Sequence, residues 1–254
     1  MRTIIKRNLK EIGNRKNIEL LYACETGSRA WGFPSPDSDY DVRFIYRHER
    51  NWYLSLSAKK DSIEFMKDDL DITGWDLKKC LLLLKKSNVP LIERFQSPIV
   101  YFAAPGFKQE FRQLIATYYS PTAVFFHHYS LALKFREQVQ PGKPFKLKSL
   151  FYMLRSLLSC NWILHNDQVV PMELNKLLRY NNAAVNKTIM ELVALKATKP
   201  ESYYHKGPSA LLKWIEKQFE HLAASREQLK VNNTRMDALD HYFINKLNET
   251  TYHK

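Results

Sequence analysis

The chain has 254 residues, with 39 lysines and arginines against 26 aspartates and glutamates, a formal net charge of +13. Its 45% hydrophobic and 26% charged content is that of a folded domain with a real core, and only 7 glycines and 11 prolines exclude a collagen-like or low-complexity chain. The positive balance favours phosphate-rich partners, nucleotides or nucleic acid, over cationic ones.

No run approaches the roughly 18 apolar residues of a membrane helix; Cys80 to Leu84 is stopped by Lys85 and Lys86. No membrane partner is expected. The segment from Met1 to Lys10 carries Arg2, Lys6, Arg7 and Lys10 with no apolar stretch, which is not a secretory signal. Cys24, Cys80 and Cys160 are odd in number and far apart, so they form no Cys-x-x-Cys motif. They read as small buried apolar residues in a reducing, cytoplasmic compartment.

In chain order, Asn8 to Lys16 reads as a short helix and the apolar run Ile18 to Cys24 as a buried strand. A loop follows over Glu25 to Ser38. Tyr40 to Tyr46 alternates, with Asp41, Arg43 and Ile45 on one face and Tyr40, Val42, Phe44 and Tyr46 on the other, which is a strand. Ser62 to Met66 and Leu70 to Trp75 are short strands, Asp76 is a helix N-cap, and Leu77 to Lys86 is a helix. After Ala103-Ala104-Pro105-Gly106 the pattern turns helical: 107–119, 121–138, 145–165, 172–181, 183–196, 207–229 and 237–248. The expected architecture is α+β. A mixed-sheet domain spans residues 1–104 and a mostly helical region spans 105–254. The last residues, 250–254, are expected to fray.

The chemistry is concentrated between residues 26 and 41. Ser28 is followed by ten residues and then by Asp39-Tyr40-Asp41. On a strand, positions i and i+2 share a face, so these two carboxylates are expected side by side. Such a pair repels unless a cation lies between them, and a divalent metal supplies one. Upstream, a Gly27-Ser28 turn leaving a strand offers backbone N–H groups and a hydroxyl to a triphosphate. A two-metal phosphoryl-transfer site takes a third carboxylate from a neighbouring strand. Asp71 is the best placed, with Asp69 and Asp76 as alternatives, although Asp76 reads better as a helix cap.

The spacing Gly27-Ser28, ten residues, Asp39-x-Asp41 resembles the signature of the DNA polymerase β-like nucleotidyltransferase superfamily. The run GSRAWGFPSPDSDYDVRFIY (27–46) is similar to the minimal nucleotidyltransferases, and within them to the predicted nucleotidyltransferases of the RNA-repair-pathway branch. LDITGWDLKKCLLLLKKSN (70–88), SPIVY (97–101) and a helix bearing Lys148, Tyr152 and Arg155 extend the likeness. The resemblance implies a palm of mixed strands, a nucleoside triphosphate donor, Mg²⁺ or Mn²⁺ as two ions, and transfer of a nucleoside monophosphate with release of pyrophosphate. It implies that Gly27 and Ser28 hold the β- and γ-phosphates, that Asp39 and Asp41 bind the metals, and that Asp71 completes the catalytic set. Ser38 and Arg29 are further phosphate donors, Arg29 alternatively pinning the loop.

Lys148, Tyr152 and Arg155 are spaced i, i+4, i+7 and so share a helix face. Six basic residues (Lys134, Arg136, Lys143, Lys146, Lys148, Arg155) stand against the single acidic Glu137 between Ser130 and Cys160. This face suits a triphosphate tail or an acceptor phosphate backbone, with Tyr152 stacking on a base. An RNA end is the acceptor the resemblance implies. A protein side chain or a small hydroxyl compound is the alternative, as is a catalytically silent nucleotide- or RNA-binding module that partners an RNA-processing enzyme. His127-His128 lack a third ligand at helical spacing and read as surface or packing residues. No oligomeric state is legible in the pattern.

Overall fold

The structure, a computed structural model, describes residues 1–225 and 236–249. The expected end of the 207–229 helix and the terminal 250–254 lie outside those residues. Helix α1 (Arg2–Lys16) leads into strand β1 (Glu19–Glu25), the five-residue helix α2 (Gly27–Trp31) and strand β2 (Tyr40–Arg47). Helix α3 (Arg50–Tyr53) precedes the hairpin of β3 (Ser62–Lys67) and β4 (Leu70–Asp76). Helices α4 (Leu77–Lys85) and α5 (Val89–Gln96), strand β5 (Val100–Ala103) and helix α6 (Phe107–Tyr118) follow. Then come α7 (Pro121–Arg136), the two-residue strand β6 (Phe145–Lys146) and α8 (Leu147–His165). Helix α9 (Leu174–Leu177) runs into a 3₁₀ turn at Leu178–Tyr180. Helix α10 (Ala183–Lys196), strand β7 (Tyr204–His205), α11 (Ser209–Ser225) and α12 (Asp237–Asn248) complete the order.

The architecture is α+β, a mixed sheet followed by a mostly helical region. Two compact units divide the chain. The first comprises Met1–Gly27, Asp39–Tyr119 and Asn233–Lys254; the second comprises Ser28–Ser38 and Ser120–Asn232. They differ from a single division after residue 104. Helix α6 stays with the first unit because Phe111 stacks on Phe95, with ring centroids 4.2 Å apart and 3° between planes. Helix α12 joins it because Lys246 pairs with Glu110 at 2.9 Å. The segment 28–38, which holds most of α2, goes with the second unit because Phe33 stacks on Phe151 of α8, centroids 4.9 Å apart.

In the first unit the sheet order is β3-β4-β2-β1-β5, with β2 and β4 parallel and the other neighbours antiparallel. One face is covered by α1, whose Ile5, Leu9 and Ile12 recur at helical spacing and pack with Val42, Phe44, Tyr46 and Ile72. The helix ends on Asn17 in the left-handed conformation, φ 48°. Beyond the sheet, Tyr22 stacks on Phe95 at 4.9 Å. Arg94 is buried, lies 3.5 Å over the Trp75 ring and donates to the Phe44 carbonyl. Burial lowers its pKa to about 10. Asp76 caps α4 by accepting from Lys78 N–H at 2.8 Å.

The β2–β4 register pairs Asp41 with Asp71 and Phe44 with Gly74. A Cβ added at Gly74 would fall 2.1 Å from the Phe44 ring, so only glycine admits that ring across the strand.

In the second unit α8 is the central element, buried along nearly its whole length. Ser120 caps α7 and Asn182 caps α10 through their side chains. Strand β6 pairs antiparallel with β7, Lys146 facing Tyr204 and Phe145 facing His205. All three cysteines are free and buried, as expected; burial pushes Cys24 and Cys80 up to about 12. Among the described residues no helix is long and apolar enough to cross a membrane.

Candidate functional site

The first cluster belongs to the sheet unit. Parallel pairing sets Asp41 of β2 directly beside Asp71 of β4. Arg43, two residues along β2 on the same face, lodges its guanidinium between them. It donates to Asp41 Oδ1 at 3.0 Å and to Asp71 Oδ2 at 2.8 Å. It also reaches the Val42 and Asp71 carbonyls, each at 3.1 Å. Thr73 donates to Asp71 Oδ1 at 3.2 Å. The three charged side chains are 20–32% exposed, so the cluster is open to solvent without being fully hydrated. The cation that two neighbouring carboxylates require is, in this structure, part of the chain.

The backbone beneath is held from β1. Glu25 is fully buried and accepts the Asp41 N–H at 2.7 Å as well as the Tyr101 hydroxyl. Thr26 donates its N–H and its hydroxyl to the Asp41 carbonyl at 2.8 and 3.0 Å. Gly27 follows at φ +63°, and a Cβ there would fall 2.1 Å from Asp41 Oδ2. Both the backbone conformation and the approach of the carboxylate require glycine.

Asp41 and Asp71 suit a Mg²⁺ or Mn²⁺ ion that takes one or two carboxylates from protein and its other ligands from phosphate and water. Among the described residues no three His, Cys, Asp or Glu side chains gather as a metal cage. Asp39 is exposed and precedes β2, whose first residue, Tyr40, pairs its N–H with the Asp69 carbonyl at 2.8 Å. It lies outside the ladder, so the period-two placement does not extend to it. Of the alternatives to Asp71, Asp69 sits in the β3–β4 turn. Asp76 is engaged as a cap and accepts the Tyr53 hydroxyl at 2.7 Å, with burial pushing its carboxyl up.

The second cluster belongs to the helical unit. Ser28 and Ser38, ten positions apart in sequence, meet through their side chains. Ser28 donates its hydroxyl to Ser38 Oγ at 3.1 Å, and the Ser35 N–H reaches the same oxygen at 3.0 Å. Ser38 in turn donates to Glu201 Oε1 at 2.8 Å. Lys148, at the start of α8, is ion-paired with Glu201 Oε2. Arg29 donates to the Ser38 carbonyl at 2.6 Å and pins the loop, the structural half of its expected role. Lys196, 2% exposed, donates to Ser35 Oγ at 2.8 Å.

Of the expected helix-face trio, Lys148 and Tyr152 stay adjacent, the ammonium 6.0 Å from the Tyr152 ring centroid. Lys148 faces Glu201. Tyr152 packs edge-on against Trp31 with centroids 5.0 Å apart. Arg155 is 4% exposed, lies 4.6 Å over the Trp31 ring and donates to the Met172 carbonyl. Tyr152 and Arg155 both pack against Trp31. His128 is buried, as a packing residue would be.

Two partners are not assigned by the sequence pattern. Alternation puts Arg43 on the Asp41 face but does not pair it with Asp71. Glu201 carried no local signal, being 163 residues from Ser38.

Parallel strands thus set Asp41 beside Asp71, and Gly27-Ser28 precedes them in the chain as the start of α2. The family model described as RNA repair pathway DNA polymerase beta family, RlaP, matches residues 1–245, and the chain belongs to that family. It is 36% identical over 253 residues, covering 98% of this chain and 97% of the other, to the uncharacterized protein YcgL of Bacillus subtilis (strain 168). A solved nucleotidyltransferase-like protein from Exiguobacterium sibiricum 255-15 shares 10% identity, covering 87% of this chain and 75% of that one, with a TM-score of 0.33.

Proposed function

We propose that this chain is a metal-dependent nucleotidyltransferase that moves a nucleoside monophosphate from a nucleoside triphosphate to an acceptor hydroxyl, releasing pyrophosphate. The observation that carries the reading is the in-register pairing of Asp41 with Asp71 at the end of the Gly27-Ser28 motif. Asp41 and Asp71 are the residues to hold a divalent ion, with Asp39 nearby in sequence as a further carboxylate. When bound, such an ion neutralises the triphosphate and lowers the pKa of the attacking hydroxyl. Ser28, Ser38 and Lys148 donate to phosphate oxygens. The chain's own contribution is positioning and charge, which is most of what phosphoryl transfer asks of a protein.

The acceptor we favour is an RNA end. Support comes from the family's description and from the net charge of +13. Three buried free cysteines agree with action in the cytoplasm.

A second reading, a silent nucleotide- or RNA-binding module, is favoured by one observation: Arg43 already neutralises both aspartates. The two readings separate when the full chain is incubated with each α-labelled triphosphate, Mg²⁺ or Mn²⁺, and RNA, protein and small-hydroxyl acceptors. Label transferred to RNA and lost in the Asp41→Asn/Asp71→Asn double variant supports the enzyme. Transfer that persists in that variant overturns the site. Salt-dependent binding of RNA or nucleotide without any transfer identifies the silent module.

A further inference from the structure

The serine cluster holds an anion of its own. Helix α10 ends at Lys196, and the chain turns over Pro200–Tyr203, the Tyr203 N–H donating to the Pro200 carbonyl at 2.9 Å. The turn is carried beside the start of α8 because β7 pairs with β6 and the Leu147 N–H donates to the Tyr203 carbonyl at 3.0 Å. Glu201 sits in this turn. Both Asp37 carboxylate oxygens accept its backbone N–H, at 2.9 and 3.2 Å. Its side chain takes one hydroxyl, from Ser38, and one ammonium, from Lys148.

That donor set is complementary to an oxyanion with two adjacent oxygens, and a carboxylate is the anion a protein can supply from within. The surroundings are built for the purpose. Ser28, Ser35 and Ser38 are 7%, 4% and 3% exposed, and each takes part in the hydrogen-bond chain behind the carboxylate. Burial pushes the Glu201 carboxyl up, but hydrogen bonds from Lys148 and Ser38, with the charges of Lys148 and Lys196, more than offset it. The net shift is downward, so the group stays ionised. The Glu201 and Lys148 side chains remain 22% and 37% exposed, so a solute anion can reach the pair.

We infer that Glu201 is an internal substitute for a phosphate group: its carboxylate occupies the oxyanion position offered by Ser38 and Lys148 and must be displaced before a triphosphate can bind there. This deepens, and rests on, the reading of Ser28, Ser38 and Lys148 as phosphate donors. An intramolecular occupant lowers the apparent affinity for the external ligand by the fraction of time the position is open. Glu201 thus sets the threshold of phosphate concentration at which the loop engages, and it discriminates against weakly charged anions that cannot compete with a tethered carboxylate.

The test is calorimetric titration of the full chain, without metal, using sodium tripolyphosphate and ATP on the wild type, Glu201→Gln, Lys148→Met and the double variant. The inference expects Glu201→Gln to bind tripolyphosphate about tenfold more tightly, within the usual range of coupling between competing states. It expects Lys148→Met to abolish that gain. Equal or weaker binding by a folded Glu201→Gln protein overturns it, leaving Glu201 as a strut that orients Ser38 and Lys148. Absence of binding to either ligand at millimolar concentration in both wild type and variant instead removes the phosphate reading beneath it. Should the variant fail to fold, hydrogen exchange on the wild type decides. Tripolyphosphate should speed exchange of the Glu201 and Tyr203 amides as the turn is released, and added protection there overturns the inference.

Discussion

The acid cluster and the serine cluster use the same device with opposite signs. In the sheet unit two carboxylates close around Arg43; in the helical unit a hydroxyl and an ammonium close around Glu201. They are built differently. Asp41, Arg43, Asp71 and Thr73 sit on two neighbouring strands, so their spacing follows from the ladder. Ser28, Ser38, Lys148 and Glu201 come from the short helix α2, the segment after it, the start of α8 and a turn, and distant contacts bring them together. A site carried by strands inherits its precision from backbone hydrogen bonds. A site carried by loops has it only as long as its anchors hold.

The largest effect is therefore expected at an anchor of the loop. Phe33 is 1% exposed and stacked on Phe151, and Phe33→Ala should cost about 3–5 kcal/mol in urea unfolding. A loss below about 1 kcal/mol would mean that the loop is not held by its aromatic contact. Next is the acid cluster, where Asp41→Asn should lower transfer by about 10²–10³-fold through lost charge stabilisation. Its melting temperature should hardly move, because Arg43 keeps its bond to Asp71. A variant that loses stability as well as rate would show that the pair is structural. Gly27→Ala comes third, at about 1–3 kcal/mol, from its φ of +63° and the 2.1 Å approach of Asp41 Oδ2. The chemical denaturation midpoint reports it.

The smallest effect is one of pH and concerns the helical unit alone. His128 is fully buried, its Nδ1 has no hydrogen-bond partner among the described residues, and burial, with the charges of Arg155 and His127, holds its pKa well below 6.5. The unfolded chain takes up a proton there below pH about 6.5, and the folded one does not. This contribution is complete above that pH and falls as pH drops through it, by at most about 1.4 kcal/mol per unit. Urea midpoints measured from pH 7.5 to 5 should show a slope that His128→Leu flattens. An unchanged slope would assign the acid limb to other groups.

How much was legible follows the same division. The alternation of Tyr40 to Tyr46 places β2, and β1, β3 and β4 lie within a residue or so of their expected ends. Asp71 falls beside Asp41, as its short strand suggested. Helix α1 begins six residues earlier than its polar half implied, although Ile5, Leu9 and Ile12 already carried the spacing. Helix α5 was missed even though Asn88 before Val89-Pro90 is a start signal. Strand β5, four residues long and shifted in register against β1, is too short to show a period. Arg43 could be placed by alternation but not paired, because pairing depends on the neighbouring strand. Glu201 lay beyond any local pattern, since its partners meet only when the chain has folded.

The small slot at Gly74 has a consequence for chemistry three positions away. Phe44 fits across that slot and nowhere else on β4, so the two strands can mesh in one alignment, like a key whose single tooth finds a single notch. Sliding by one residue would drive the ring into a side chain and turn Asp71 to the opposite side of the sheet. The opposition of the two acids is thus guarded by a residue that touches neither of them, and a bulkier residue at 74 would be expected to silence the centre from a distance.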